Sequence, residues 1–172
     1  MPLEVKFNPG QLEVNLQQIG ERAVKGMSER MRRTAMKIRD LAREYAPVKT
    51  GQLEKSIDYE TLKVNGRNSY VVFIDLDMVR QSGEGVVGDY AFVMEEELHP
   101  YGRAKSGKRY YRLGPGSAAK AASGKKVGGR FLSRAVKEGV KGLLGDMAAE
   151  VRRVTNSSRS IPMSTQRIEV EE

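Results

Sequence analysis

The chain has 172 residues, 39% of them hydrophobic and 30% charged, which suits one compact core with solvated or partner-facing extensions and is too little for two full domains. A formal charge of +8 at pH 7 favours polyanionic partners (nucleic acid, an acidic protein surface or anionic lipid) without choosing among them. With no cysteine and a single histidine, His99, disulfides, thiolate metal centres and any site needing two imidazoles are excluded.

The N-terminal stretch MPLEVKFNPG carries no apolar core of signal-peptide length. It alternates apolar and polar through Leu3, Val5 and Phe7, a short strand signal that Pro9-Gly10 ends. No uncharged apolar run approaches roughly 18 residues, so the chain is expected to be soluble, made in the cytosol and free of membrane spans.

A long helix is predicted next. Leu12, Leu16, Ile19, Ala23, Met27, Met31, Ala35, Ile38, Leu41, Ala42 and Tyr45 recur at three- and four-residue spacings along one stripe. Arginines and lysines between Arg22 and Arg43 fall largely off that stripe and read first as a solvated face. Pro47 stops the helix, since its ring disfavours helical geometry at Ala46. In the following APVKTGQLEKSI, Thr50 is expected to cap a short helical turn, with Leu53 and Ile57 four apart and both pointing inward.

Asp58 to Val64 alternates as a strand, and Asn65-Gly66-Arg67-Asn68 is a hairpin turn signal because Asn and Gly tolerate positive φ. Ser69 to Leu76 is β-branched and aromatic and predicts the central strand of the sheet. Residues 78–88 read as a connecting loop and Tyr90 to Met94 as a third strand. Residues 100–130 hold nine Lys or Arg, seven Gly and no acid, without apolar periodicity, which predicts a flexible basic loop. Helical spacing returns from Phe131 to Val154, interrupted by Gly139, Gly142 and Gly145, which suggest close packing against a neighbour. Thr155 to Glu172 reads as a polar, extended tail. The expected fold is α+β: a long N-terminal helix and a C-terminal helix packed on a small antiparallel sheet. It forms one domain over residues 1–154, with a basic loop inserted at 100–130 and a tail at 155–172.

Catalysis has thin support in the sequence. Asp75, Asp77 and Asp89, with Glu95-Glu96-Glu97 before His99, are the one candidate acidic cluster for a divalent ion or acid–base work. Their positions at strand ends and loop borders favour solvated groups or ion-pair partners. The Gly-rich stretches GPGS and GKKVGG lack phosphate-loop spacing. No catalytic, cofactor or metal residues are assigned, and an enzyme is not expected. The basic segment is the better candidate. Arg103, Lys105, Lys108, Arg109, Arg112, Lys120, Lys125 and Lys126 surround Tyr101, Tyr110 and Tyr111. Such a mixture can grip phosphates and stack on bases, or dock on an acidic protein surface with the tyrosines as anchors.

The segment from Ala46 to Ile57 resembles the hallmark of the HK97 gp10-like family of phage tail-component proteins, in which a long helix ends in A-P-V-x-T-G-x-L-x-x-S-I. Tyr90-Ala91 with Glu95, and Phe131-Leu132 with Ala135, match the family's later Y-A-x-x-x-E and F-L-x-x-A patterns in order, so the likeness covers roughly residues 12–154. Two features depart from it: Glu95 to His99 stands where members often carry a Gly-Thr loop, and the basic stretch is long. In physical terms Pro47, Thr50, Gly51, Leu53 and Ile57 make a structural corner, not a reactive site.

The resemblance implies a virion subunit of the head–tail junction or tail end, a neck or tail-completion protein assembled as a ring around the DNA channel. A hexamer is the expected ring, built through head-to-tail contacts. Its expected partners are further copies of itself, connector or adaptor, tail-terminator or tail-tube proteins, and the genome in the lumen. No cofactor or membrane is implied. The competing expectation is a nucleic-acid-binding module acting through the basic loop.

Overall fold

The computed structural model describes residues 9–48, 50–79, 83, 85–96 and 114–158. The strand signal at Leu3–Phe7, Glu97 and His99, residues 100–113 of the basic segment and residues 159–172 of the expected tail lie outside the described residues. The chain divides into two compact units, Met31–Lys141 and the paired segments Met1–Arg30 and Gly142–Glu172.

Helix α1 runs from Pro9 to Tyr45. Pro9-Gly10, expected to end a strand, opens this helix instead, because a proline's fixed φ and missing N–H suit the first helical turn. The other end is where Pro47 predicts it. Ala46 N–H still reaches Ala42 O at 2.9 Å, and Ala35, Ile38, Ala42 and Tyr45 of the apolar stripe are buried.

In the unit Met31–Lys141, α2 (Gln52–Ser56) leads into β1 (Ile57–Val64) and β2 (Arg67–Ile74). The strands pair antiparallel from Ile57↔Ile74 to Val64↔Arg67. Asn65 (φ 50) and Gly66 (φ 74) form the two-residue turn, where both central residues need positive φ and Asn-Gly supplies it. Ile38, Ala42, Tyr45, Ala46, Leu53 and Ile57 form one core with Val87, Ala91, Phe131 and Ala135.

Tyr90–Met94, expected as a third strand, belongs to helix α3 (Gly88–Glu96). A five-residue apolar run has no period that separates a strand from a buried helical turn. Here the helix start is fixed locally. Gly88 N–H bonds to Leu76 O at 2.9 Å, and the Asp89 carboxylate reaches back to Val86 N–H at 3.0 Å, which satisfies a donor at the helix entry. The sheet is therefore two-stranded among the described residues. The segment expected as its central strand is β2, an edge strand ending at Ile74. Val79 and Val86 pair across the connection as an isolated bridge.

The basic stretch is not one continuous loop. Pro115–Ala122 forms helix α4, with proline at its first turn and an alanine-rich body, both favourable to helix. The helix expected over Phe131–Val154 is two helices, α5 (Phe131–Gly139) and α6 (Leu143–Ser158). Gly142 lies between them at φ 83, a left-handed conformation that ends a helix cheaply only at glycine. The close packing expected at these glycines is found at Gly139, where an added Cβ would sit 2.3 Å from Ile38 Cγ1. Helix α6 also takes in Thr155–Ser158, the beginning of the expected tail. The class is α+β, as the sequence predicts.

In the other unit, α6 carries a buried carboxylate. Glu150 is 5% exposed and pairs with Arg153 at 2.5 Å and Arg30 at 3.5 Å. A Cβ on Gly26 would fall 2.6 Å from Glu150 Oε1, so the absence of a side chain at Gly26 makes room for the acid. Arg153 and then Arg30 hold the Glu150 carboxyl below the usual carboxylate range, against the opposing effect of burial.

Candidate functional site

The corner between α1 and β1 is built for packing. Leu53 and Ile57 are buried, and the Ser56 hydroxyl donates to Leu53 O at 2.9 Å. The N-cap of α2 is Gly51, at φ 79 and ψ 0, and no side chain caps it. Thr50 therefore does not play the capping role expected of it. It is exposed, and the turn is made by glycine's freedom to take a left-handed φ.

Helix α4 clasps this corner. Val48 N–H donates to Ser117 Oγ at 2.7 Å, and that hydroxyl donates back to Val48 O at 3.1 Å. Lys120 Nζ donates to Arg43 O at 2.7 Å, to Ala46 O at 3.3 Å and to the Glu54 carboxylate. An ammonium has three donors, and here all three are engaged. A cation at the last carbonyls of α1 also complements the helix dipole. Lys120, expected among the partner-contacting cations, is thus 15% exposed and tied within the chain.

Lys125 is exposed, and Lys126 pairs with Glu138 at 3.3 Å. The turn that holds them is organised by a residue the sequence reading passed over. The Arg134 guanidinium donates to Lys126 O, Gly128 O and Gly129 O at 2.8–3.1 Å and lies 5.0 Å from the centroid of the Tyr45 ring. An arginine's planar fork suits several carbonyls converging on one turn. Tyr45 donates its hydroxyl to Glu138 Oε2 at 2.8 Å. Burial first, and then the bond to Glu138, push the Tyr45 hydroxyl up to about 12. The same bond, followed by that from Lys126, draws the Glu138 carboxyl down. Arg103, Lys105, Lys108, Arg109, Tyr110, Tyr111 and Arg112 lie outside the described residues.

Three of the acids considered for catalysis, Asp75, Asp89 and Glu95, accept backbone N–H groups. Asp75 accepts Asp77 N–H at 3.1 Å, and Asp89 accepts at the start of α3. Glu95 accepts Leu132 N–H and Ser133 N–H, each at 3.0 Å, and so caps α5 from another element. This bond joins the two motifs noted in the sequence, the acid of Y-A-x-x-x-E and the opening of F-L-x-x-A. Among the described residues no group of three His, Asp or Glu is placed to hold a metal ion, and no helix is long and apolar enough to cross a membrane.

The hairpin carries exposed apolar side chains on one of its two faces. Ile57, Tyr59, Val72 and Ile74 share one face and are buried or half-buried. The opposite face carries Leu62, Val64, Val71 and Phe73, which are 37–52% exposed and stand across from Ser69, Arg67, Glu60 and Asp58. Single exposed apolar residues are ordinary; four on one face of a hairpin, interleaved with charged ones, make a candidate contact surface. The sequence carried this signal because β1 and β2 hold apolar residues at both even and odd positions, and a two-stranded ribbon cannot bury both sets.

No curated protein and no solved structure matches the chain. Residues 10–78, from the second residue of α1 through the corner and both hairpin strands to Met78, match the family model described as "Bacteriophage HK97-gp10, putative tail-component".

Proposed function

We propose that the chain is a non-enzymatic structural subunit of a bacteriophage virion, acting at the head–tail junction or tail end. Copies of it assemble, six in the proposed ring, around the DNA channel and join the tail to connector-side proteins. The observation that carries this reading is the family match over residues 10–78, which spans α1, the corner and the hairpin. It is supported by the use of Asp75, Asp89 and Glu95 as backbone acceptors and by the exposed apolar face of the hairpin. A closed ring needs two different complementary surfaces on each copy.

The test is removal of the gene product from the producing phage. Full heads and finished tails that accumulate unjoined, and join on addition of the purified chain, are the expected result. Normal particles without it overturn the reading. A second reading, nucleic-acid binding through the basic segment, is favoured by the net charge of +8. Replacing Arg103, Lys105, Lys108, Arg109 and Arg112 with glutamine tests it. If that reading holds, these changes lower duplex-DNA affinity and flatten its dependence on salt. They leave α4 and its Lys120 clasp in place.

A further inference from the structure

We infer that α1 carries a two-fold docking surface for a second copy of this chain, in which Arg33, Met36, Lys37, Asp40, Leu41 and Glu44 meet their own counterparts antiparallel. This goes beyond the virion reading and does not rest on it.

These six side chains line a groove of about 380 Å³. At about 3.6 residues per turn they form one stripe about three turns long. It lies on the side of the helix turned away from the buried Ala35, Ile38, Ala42 and Tyr45. Arg33, Lys37 and Asp40 are exposed, while Met36, Leu41 and Glu44 are half-buried. Leu41 also packs against the core, so the groove has a fixed apolar edge beside the charges it presents.

The stripe reads as a palindrome. Its basic pair stands in the N-terminal half and its acidic pair in the C-terminal half, with the centre of symmetry midway between Ile38 and Arg39. Arg33 and Glu44 are equally far from that point, as are Met36 and Leu41, and Lys37 and Asp40. When two such helices pack antiparallel about it, residues equally far from the centre come level. Arg33 then meets Glu44 of the second copy and Lys37 meets its Asp40, while Met36 and Leu41 of both copies close the flanks. Every level brings opposite charges or apolar groups together, and each contact is made twice by symmetry. A parallel pairing would set Arg33 against Arg33 and Glu44 against Glu44. Charge complementarity thus specifies both the occupant and its direction. Asp40 holds its neighbour Arg39 at 2.8 Å through Oδ1, so Oδ2 is the oxygen offered to Lys37 of the second copy.

A two-fold contact is complete with two copies, unlike the head-to-tail contacts of the proposed ring. A surface this short suits a modest, salt-sensitive association.

The symmetry supplies the experiment. Arg33→Glu with Lys37→Glu makes the stripe acidic throughout, and Asp40→Lys with Glu44→Lys makes it basic throughout. Each full-length variant alone is expected to dimerise at least about ten-fold more weakly than the unaltered chain in low-salt analytical ultracentrifugation, because like charges now come level. An equimolar mixture of the two variants, and a chain carrying all these changes together, are expected to regain the original association. Should the change at half-buried Glu44 unfold the chain, the exposed changes Lys37→Glu and Asp40→Lys, alone and mixed, carry the same test. An unaltered chain that stays monomeric at every concentration, variants that associate as well as it does, or a mixture that fails to recover overturns the inference. Joining of heads to tails is scored separately, so the virion reading stands or falls by a different measurement.

Discussion

Glu95 on α3 grips Ser133 at the start of α5 twice: its carboxylate accepts the Ser133 backbone N–H at 3.0 Å and the Ser133 hydroxyl at 2.5 Å. The first N–H groups of a helix have no partner within it, and an anion there also faces the positive end of the helix dipole. Glu95→Ala is therefore expected to destabilise the fold by about 1–2 kcal/mol, with Glu95→Gln costing less. Urea denaturation of the two variants checks this, and an unchanged midpoint in Glu95→Ala would count against the cap.

Lys120 and Lys125 are five residues apart in one basic stretch, yet they differ in surroundings. Lys120→Met leaves Arg43 O, Ala46 O and Glu54 without their shared donor, and about 1–3 kcal/mol of stability should be lost. Lys125→Met, at an exposed position, should stay within about 0.5 kcal/mol. Thermal melts of both proteins separate the two, and equal effects would contradict the clasp.

Gly139→Ala would improve helix propensity on a free surface. Here the new methyl meets Ile38 Cγ1, and overpacking a tight contact costs about 1–3 kcal/mol. Adding Ile38→Val should recover part of that loss, because it removes bulk from the side chain that collides. A double-mutant cycle by chemical denaturation measures the coupling.

The Tyr45–Glu138 bond makes stability depend on pH at both extremes. The folded Tyr45 hydroxyl titrates near 12 against an ordinary 10.0. Its contribution is present below pH 10 and lost as pH rises toward 12, since the unfolded chain releases the proton first. Tyr45→Phe should flatten stability over that interval. For Glu138 and Glu150, lowered from 4.5, the contribution is present above that value and lost as pH falls through the folded pKa. Glu138→Gln should therefore reduce the acid sensitivity of unfolding curves recorded between pH 5 and 2.

The long helix, its stop at Pro47, the buried pair Leu53 and Ile57 and the Asn65-Gly66 turn were legible in the sequence, because each follows from local periodicity or from one residue's backbone preference. The strand expected at Tyr90–Met94 failed where a short apolar run offers no period to read. The start of the helix is fixed by groups outside that run, among them Leu76 O and the Asp89 carboxylate. The candidate contact segment was legible as charge and not as structure. Nothing in the spacing of lysines reveals that Lys120 turns inward onto α1, or that Arg134 holds the turn carrying Lys125 and Lys126. Those roles depend on contacts between residues up to 89 positions apart, such as Arg134 over the Tyr45 ring.

The shared core has a further consequence for what the matched segment can do alone. Ala42, Leu53 and Ile57 lie before Met78, but Val87, Ala91, Phe131 and Ala135, which cover them, come after it. A fragment cut at Met78 would carry the recognisable motif with its apolar side uncovered, and would aggregate or stay unfolded. The region most easily recognised is thus not an autonomous folding unit, and the later helices complete it in the manner of a keystone set last.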